Sequence, residues 1–455
     1  MCKSELVNDV ISNLLENEKQ GSNIFNDMND AIDAVYEAQK VYEELPMQIR
    51  DDIIKLIRKV SVKAAPVISK KTVEETGMGD ADDKIVKNTL AANATPGTED
   101  LRNETFSTEA GLTISEMAPF GVIGAFTPTT NPTETVINNS INVLAGGNGI
   151  VFCAHPNAWK VTTKMAELID AVIQKAGGPA NLVAAVANPT MEEGEKMTTN
   201  PKVKMLIATG GFAVVNVALK SGKKAIGAAA GNPPVIVDGT ANIPLAAKLT
   251  VEGAQFDNNL LCIAEKEAFV VEKVYDEFIE EAKKNGAFIV SDAADIKKLE
   301  ETILYEGGPH KDFIGKPAHY ILDKAGISAP AGTRLAIVET DNKHPFVQKE
   351  LLMPVLAVVK AKDFEEALEF AVDAEHGFGH TAMIHSRCTD NVTKFIKTMK
   401  VTIAVQNGSS YNGLGVGTGP TTFTVAGPTG EGITTPRHFV KYRRIAIASG
   451  GYYTR

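Results

Sequence analysis

Residues 121–148 read GVIGAFTPTTNPTETVINNSINVLAGGN, and this stretch decides the fold class. It begins with a short apolar run, continues as a Pro- and Thr-rich loop, and then places apolar residues at helical spacing up to a Gly-Gly pair. The apolar run predicts a strand, and the Gly-Gly pair is typical of a helix end. A strand, a loop and a helix in this order predict the first part of a βαβ unit.

Two further units of this kind follow along the chain. The first has a strand at residues 150–153, a loop at 154–157, a helix at 161–176 and a strand at 182–186. The second has a strand at residues 203–208, the turn Thr209-Gly210-Gly211, a helix at 212–221 and a strand at 224–226. Strands that alternate with helices predict an open, parallel α/β sheet, which binds ligands at the carboxyl ends of its strands.

The pattern extends on both sides of these units. Apolar residues recur at helical spacing over residues 24–71, with Pro46 between two long helices. The strand-helix alternation restarts between residues 234 and 440, which predicts a second α/β domain with strands near residues 235–237, 268–271 and 356–359. Residues 438–453 alternate like a strand.

The N-terminus predicts a separate short element. Residues 4–15 place their apolar side chains on one face at helical spacing, and a polar stretch at 16–23, ENEKQGSN, follows as a linker would. Such an amphipathic helix either packs on its own chain or lays its apolar face in a groove of a partner. The pattern alone leaves both alternatives open.

Composition narrows the class of protein. The 455 residues suit two or three domains, and 44% hydrophobic with 22% charged residues is typical of a folded globular protein. A net charge of -10 makes nucleic acid a poor partner. We find no apolar run of the roughly 20 residues that a membrane span needs, and Glu5 and Asp9 stand where a signal peptide would be apolar, so we expect a cytoplasmic protein.

The cysteines and histidines give no sign of a metal or disulfide framework. Cys2, Cys153, Cys262 and Cys388 are far apart and form no C-x-x-C pair, and the eight histidines are scattered, so we expect no metal site. Cys262 lies in DNNLLCIAE, where small and polar neighbours could lower a thiol pKa and stabilise an oxyanion. Taken alone, however, a single cysteine is more often a buried small hydrophobic residue.

Two glycine-rich stretches are candidates for a phosphate-binding loop. No helix is predicted after residues 413–419, GLGVGTG, so this run is interpreted as a mobile loop. Thr209-Gly210-Gly211 joins a strand to a helix whose free N–H groups could face a pyrophosphate. A tight turn without a ligand is an equal alternative for this segment.

Four segments together resemble the aldehyde dehydrogenase superfamily, and specifically its CoA-acylating branch, which includes the propionaldehyde dehydrogenases of bacterial microcompartments. They are residues 121–139, residues 221–238 (SGKKAIGAAAGNPPVIVD), residues 256–267 (FDNNLLCIAEKE) and residues 429–432 (TGEG). The resemblance covers nearly the whole chain. It implies a Rossmann-type cofactor domain, a second α/β catalytic domain and a small β oligomerisation element.

The resemblance also implies domain boundaries. The N-terminal targeting helix and linker are residues 1–20, the cofactor domain is residues 21–108 and 119–232, the catalytic domain is residues 233–437, and the oligomerisation element is residues 109–118 and 438–455. By the same resemblance the protein forms a homo-oligomer, a dimer or tetramer, and residues 4–15 target it to a shell protein. We therefore expect it inside a bacterial microcompartment of the cytoplasm.

The resemblance assigns roles to individual residues. Cys262 is the nucleophile, and the side-chain amide of Asn131 holds the oxyanion together with the backbone N–H of Cys262. Glu350 binds the nicotinamide ribose; without the resemblance it would be interpreted as a surface acid. The residues expected to bind the cofactor are Thr127, Pro128, His155, Pro156, Thr209, Gly210, Gly211, Val214, Glu350 and Leu352. NAD is the expected cofactor, with NADP left open because bulky Phe212 follows the turn and the family's ribose-binding lysine is missing near His155.

One absence points to coenzyme A as the acyl acceptor. Hydrolytic members of the superfamily carry a glutamate in an E-L-G-G segment, whereas residues 228–231 read AAAG here, so Ala228 replaces the base. General-base assistance typically raises a reaction rate roughly 10²- to 10⁴-fold. Without it, hydrolysis of the thioester is slow enough for a thiol nucleophile to react with it instead. We expect a short-chain aldehyde, with propanal favoured and acetaldehyde or butanal as alternatives. A hydrolytic aldehyde dehydrogenase and a noncatalytic scaffold remain as rival hypotheses.

Overall fold

The structure, a computed structural model, describes residues 21–448. The helix predicted at residues 4–15 and residues 449–455 of the predicted C-terminal element lie outside the described residues. Among residues 21–448, no helix combines the length and the apolar character that a membrane crossing requires.

The first sheet contains six strands, and all of its neighbouring strands are parallel. In spatial order they are Ile24–Phe25, Val183–Val186, Gly149–Ala154, Val122–Thr127, Val203–Thr209 and Lys224–Ala228. The strands from the predicted βαβ units all occur within a few residues of their expected bounds. Every residue of Val122–Thr127 and of Gly149–Ala154 is buried, as expected when helices cover both faces of a parallel sheet.

Within residues 21–448, seven helices accompany this sheet. They are Met28–Glu43, Met47–Thr76, Ala81–Ala94, Pro132–Ala145, Trp159–Lys175, Met191–Thr199 and Phe212–Lys220. Pro46 precedes the second of them, which confirms the predicted break between two long helices. All 14 residues of Pro132–Ala145 are buried, and Pro132 occupies its first turn, where a missing N–H costs nothing. Asn131 therefore lies at the N-terminus of a central helix, in the interior of the protein.

The second sheet contains seven parallel strands and forms the predicted second α/β domain. In spatial order they are Ala287–Val290, Leu335–Thr340, Val355–Ala361, Glu267–Val271, Pro234–Val237, Thr381–His385 and Ile403–Gln406. The accompanying helices are Ile243–Gln255, Glu272–Lys284, Ala293–Ile303, Ala318–Lys324, Pro345–Gln348, Phe364–Glu375, Thr389–Met399 and Ser410–Gly413.

A third, antiparallel sheet joins distant parts of the chain. Its strands are Glu104–Thr108, Gly111–Pro119 and Val440–Ala448. The predicted start of this element at residue 109 is wrong, because a two-residue turn makes Glu104–Thr108 the other half of the same hairpin. All five of its residues are exposed, so the strand lacks the apolar alternation by which it could have been predicted.

Candidate active site

A cavity of about 640 Å³ opens at the carboxyl ends of three strands of the first sheet. Its lining includes the last residues of Val122–Thr127, Gly149–Ala154 and Val203–Thr209, on either side of the point where the strand order reverses. This is the crevice in which open α/β sheets bind ligands. Eight of the residues expected to bind the cofactor line it, namely Thr127, Pro128, His155, Pro156, Thr209, Gly210, Gly211 and Val214.

The turn after Val203–Thr209 is shaped to receive an anion. Gly211 directly precedes the helix Phe212–Lys220, whose first N–H groups have no partner within the helix. Apart from Gly211 and its two neighbours in the chain, no described residue has an atom within 4 Å of the place where a Cβ on Gly211 would be, so a ligand can approach the backbone. Bulky Phe212 does not line the cavity. Its ring packs against that of Phe378, with the two ring centroids 5.4 Å apart. The segment therefore fits a pyrophosphate group.

The charge of the cavity bears on which nicotinamide cofactor it fits. Glu192 and Glu195 line it, and among the described residues no lysine or arginine does. His155 also lines it, and burial lowers the pKa of its imidazole, which favours the neutral form. A phosphate on the adenosine ribose would thus meet two carboxylates and no cationic side chain of residues 21–448.

An unusual backbone turn positions Cys262. Three successive residues before it have left-handed backbone conformations: Asp257 with φ 47°, Asn258 with φ 51° and Asn259 with φ 62°. Asp and Asn tolerate this region better than most residues. Both asparagine side chains brace the turn, since Asn258 Nδ2 donates to Gly315 O at 2.9 Å and Asn259 Nδ2 donates to Ala254 O at 2.8 Å.

The buried ammonium of Lys266 closes this turn from the other side. Its Nζ donates to Asn259 O at 2.8 Å, to Asn259 Oδ1 at 2.6 Å and to Leu261 O at 3.1 Å. Leu261 O belongs to the peptide group that links Leu261 to Cys262, and the N–H of that same peptide group is the N–H of Cys262. Donation to a carbonyl makes the N–H of the same peptide a better donor, which suits an oxyanion site.

The Cys262 thiol is protonated at neutral pH in this structure. Burial and, after it, the Glu350 carboxylate raise its pKa to about 12, whereas the ammonium groups of Lys266 and Lys87 act in the opposite direction. Cys153 also has a pKa raised to about 12 by burial, but no cation in the described part of the chain lowers it. The two lysines therefore distinguish Cys262 electrostatically from the apolar Cys153.

Glu350 acts electrostatically on the Cys262 thiol and is not the surface acid that its local sequence indicates. It is only partly accessible, and burial raises its pKa to about 7, while Lys266 and a hydrogen bond from the Gly231 N–H lower it. A carboxyl group with this pKa can accept a proton from a nearby thiol at neutral pH. Neither Glu350 nor Leu352 lines the 640 Å³ cavity. Leu352 instead accepts a hydrogen bond at its carbonyl from Gly315 N at 2.9 Å.

His380 is a further candidate that the sequence pattern did not reveal. It is 2% exposed, and burial together with the Lys266 charge lowers its pKa to about 4, so the imidazole is neutral. Its Nδ1 pairs with Thr381 Oγ1 at 2.9 Å, whereas its Nε2 has no hydrogen-bond partner among residues 21–448. A Cβ on Gly231 would lie 2.7 Å from the ring, so only glycine leaves room for it. Nε2 can accept a proton in the tautomer in which the Nδ1–H donates to Thr381 Oγ1.

Asn131 projects from the N-terminus of the buried helix Pro132–Ala145. Its Oδ1 accepts a hydrogen bond from Lys87 Nζ at 2.6 Å, and its Nδ2 donates to Thr130 Oγ1 at 3.2 Å. Lys87 also donates to Asp257 Oδ2, in the turn before Cys262. Asn131 and the backbone N–H of Cys262 are predicted to bind the oxyanion together. Lys87 joins Asn131 to the turn that precedes Cys262.

The chain matches the sequence profile described as the aldehyde dehydrogenase family over residues 21–298 and 334–418. The chain belongs to the aldehyde dehydrogenase family. Within the family it is 43% identical to the propanal dehydrogenase (CoA-propanoylating) of Salmonella typhimurium over 435 residues, which cover 95% of this chain and 94% of that protein.

Two solved structures are similar throughout. The propionaldehyde dehydrogenase of Rhodopseudomonas palustris with bound CoA and an acylated cysteine has a TM-score of 0.92 at 45% identity, covering 94% of this chain and 98% of that one. The propionaldehyde dehydrogenase of the Clostridium phytofermentans fucose utilisation bacterial microcompartment has a TM-score of 0.92 at 42% identity, covering 94% and 99%. The predicted aldehyde dehydrogenase fold is thereby confirmed.

Ala228 ends the edge strand of the first sheet in this aldehyde dehydrogenase. It is buried, and its carbonyl accepts a hydrogen bond from Gly210 N at 3.0 Å. This backbone hydrogen bond joins the edge strand to the turn Thr209-Gly210-Gly211. The side chain of Ala228 is only a methyl group. Glu265 and Glu267 are other buried carboxyl groups near Cys262, and burial raises the pKa of each, that of Glu265 to about 7.

Proposed function

We propose that this enzyme is a CoA-acylating aldehyde dehydrogenase that converts a short-chain aldehyde, CoA and NAD to acyl-CoA and NADH through a Cys262 thioester. The observation that carries the proposal is the setting of Cys262, whose thiol is influenced by two buried lysines and by a carboxyl of pKa about 7, while position 228 holds a methyl group. The CoA-propanoylating relative and the acylated cysteine in a solved relative support it.

The first half-reaction forms the thioester. Cys262 Sγ adds to the aldehyde carbonyl while its proton passes to the Glu350 carboxylate. The resulting oxyanion accepts hydrogen bonds from Asn131 Nδ2 and the Cys262 N–H, two donors of the kind that stabilise tetrahedral intermediates. When the carbonyl re-forms, a hydride leaves for NAD, which accepts it. The acyl group then remains on Cys262.

The second half-reaction transfers the acyl group to CoA. The CoA thiol must lose its proton in this step, and His380, whose Nε2 has no hydrogen-bond partner among residues 21–448, is the proposed acceptor. The CoA thiolate attacks the thioester, the bond to Sγ breaks, and Cys262 leaves as the thiolate. One thioester replaces another of similar energy, so the reaction runs in both directions.

The cavity supports NAD rather than NADP as the cofactor. The anion-binding turn at Thr209-Gly210-Gly211 fits the pyrophosphate that both cofactors share. Glu192 and Glu195 disfavour the additional phosphate of NADP, because like charges repel and no cation among the described lining residues compensates them. NADP remains the alternative.

The name of the CoA-propanoylating relative favours propanal as the aldehyde. Acetaldehyde and butanal remain alternatives, because the free energy that one methylene contributes in a pocket is only about 1–3 kcal/mol. The test is an assay of NADH formation and product identity over a series of aldehydes, with and without CoA. Acyl-CoA as product with dependence on CoA supports the proposal, and free acid formed rapidly without CoA overturns it.

A hydrolytic aldehyde dehydrogenase is the second candidate. It is favoured by the buried carboxyl groups near Cys262, since one with a pKa of about 7 could activate water in place of the missing base. Exchange of Glu350 for Gln distinguishes the two. A hydrolytic enzyme would retain the burst of NADH and accumulate thioester in this variant, whereas the acylating enzyme should lose rate in the burst itself.

We further propose that the enzyme is a homo-oligomer, a dimer or tetramer, that works inside a bacterial microcompartment. The strand Val440–Ala448 supports oligomerisation, because it lies at the edge of its sheet with Tyr442 65% exposed. Residues 4–15, outside the described part, are the proposed contact with a shell protein. Deletion of residues 1–20 should leave activity intact and abolish encapsulation.

A further inference from the structure

Two buried lysines lie on the helix Ala81–Ala94, and neither has been assigned a step of the proposed mechanism. Lys84 and Lys87 are 0% and 1% exposed. Lys84 Nζ donates to Thr130 O at 3.2 Å and to Asp257 Oδ2 at 3.0 Å. Lys87 Nζ also donates to Asp257 Oδ2 and lies 3.4 Å from Glu134 Oε1. Burial of an ammonium is costly unless it is paired, and these partners provide the pairing.

Apart from the ion pair of Lys87 with Glu134, the two lysines differ in one contact. Lys87 Nζ donates to Asn131 Oδ1 at 2.6 Å, whereas the contacts of Lys84 stop at Thr130 and Asp257. A flipped Asn131 amide would turn its NH₂ group toward an ammonium, which has only donors. The ammonium therefore selects one amide orientation, with Oδ1 toward Lys87 and Nδ2 on the opposite side.

This orientation leaves a donor free at the reacting centre. An amide NH₂ has two hydrogens, and the contact of Asn131 Nδ2 with Thr130 Oγ1 at 3.2 Å uses one of them. The other remains for an oxyanion. A charged donor on the amide oxygen also polarises the amide, which makes its N–H a stronger donor.

We propose that Lys87 is a positioning residue for acyl-enzyme formation, because its ammonium holds the Asn131 amide in the orientation that donates to the oxyanion. The inference rests on the proposed function, in which Asn131 binds the oxyanion. The same ammonium binds Asp257, the first residue of the left-handed turn before Cys262. It therefore also ties the amide to the loop that carries the nucleophile.

The rival explanation is that Lys87 only neutralises Asp257 and Glu134 and has a structural role. Lys84 provides the matched control. It lies on the same helix, is equally buried and shares Asp257 and Thr130 as partners, but it makes no hydrogen bond to Asn131. A structural role predicts that replacing Lys87 has the same effect whether or not Asn131 is present, as replacing Lys84 should.

The test is a double-mutant cycle on the pre-steady-state burst of NADH formed from propanal and NAD. Asn131→Ala should slow the burst by roughly 10²- to 10³-fold, as loss of an oxyanion donor does. Lys87→Met should slow it at least about tenfold in the wild-type background and by less than about twofold in the Asn131→Ala background, because coupled residues are not additive. Lys84→Met should have the same effect in both backgrounds.

Equal effects of Lys87→Met in the two backgrounds would overturn the inference and leave Asn131 as the oxyanion donor. An Asn131→Ala variant with an undiminished burst would instead contradict the proposed function itself. If Lys87→Met does not fold, as circular dichroism would reveal, Lys87→Gln carries the same cycle, since its amide is neutral but still able to donate to Asp257. The same pattern of non-additivity is expected from it.

Discussion

Replacement of Glu350 by Gln should stabilise the folded enzyme at alkaline pH. Burial raises the pKa of the Glu350 carboxyl from 4.5 to about 7. A carboxyl whose pKa is raised in the folded state contributes stability below the unfolded pKa, and that contribution is lost as pH rises through the folded pKa. The wild-type enzyme therefore loses stability between about pH 4.5 and pH 7, and the Gln variant, which cannot ionise, does not lose this part.

The expected magnitude follows from the same pKa values. Each tenfold change in an ionisation constant corresponds to about 1.4 kcal/mol, so the charged Glu350 costs the folded state about 3 kcal/mol at pH 8. The free energy of unfolding of wild type and Glu350→Gln should be measured by urea denaturation at pH 5 and pH 8. The difference between the two proteins should grow by about 2.5 kcal/mol in favour of the variant from the lower to the higher pH, because part of it is already present at pH 5.

A matched control keeps this result specific. Glu369→Gln, at an exposed position on the helix Phe364–Glu375, changes the same functional group and should show the same difference from wild type at both pH values. If Glu350→Gln behaves like this control, the carboxyl is solvated, and the reasoning that makes it a proton acceptor for Cys262 is refuted. A stabilised variant should also have a slower NADH burst, because the proton acceptor is lost.

Three further outcomes test other parts of the site. Glu195→Lys should raise the ratio of kcat/KM for NADP to that for NAD by about tenfold, because a cation replaces a carboxylate in the cavity lining; an unchanged ratio would refute the charge argument. His380→Ala should preserve the NADH burst but slow acyl transfer to CoA, and a slowed burst with normal transfer would contradict the assigned role. Iodoacetamide at neutral pH should alkylate Cys262 faster than Cys153, since Cys262 is partly exposed whereas Cys153 is buried; equal rates, read by peptide mass spectrometry, would contradict this difference in access.

The fold could be predicted to a large extent because its signals are local. The apolar run and Gly-Gly stop around residues 121–148 reflect a buried strand and a helix that fill the interior, and Thr209-Gly210-Gly211 marks a strand-to-helix turn. Exposed elements carry no such signal. Glu104–Thr108 escaped prediction because it pairs through its backbone while all of its side chains face solvent.

The catalytic centre could be predicted only in part. Cys262 and Asn131 were recognised from motifs, but the lysine that joins their surroundings pairs with Asp257, 170 residues away along the chain. Such a pairing depends on tertiary structure and leaves no periodic pattern. Two local signals were present, namely the Asp257-Asn258-Asn259 run, whose residue types tolerate left-handed backbone, and the charges of Glu265 and Lys266 directly before a buried strand. His380 has no local signal of either kind.

The central claim is that Cys262 forms a thioester that CoA, and not water, resolves. It is tested most directly by mixing the enzyme with propanal and NAD without CoA, quenching in acid, and measuring the mass of the peptide that contains Cys262. We predict a propanoyl group on this peptide that persists until CoA is added and then appears as propanoyl-CoA. An unmodified Cys262 together with free propanoate and continued NADH formation in the absence of CoA would contradict the claim.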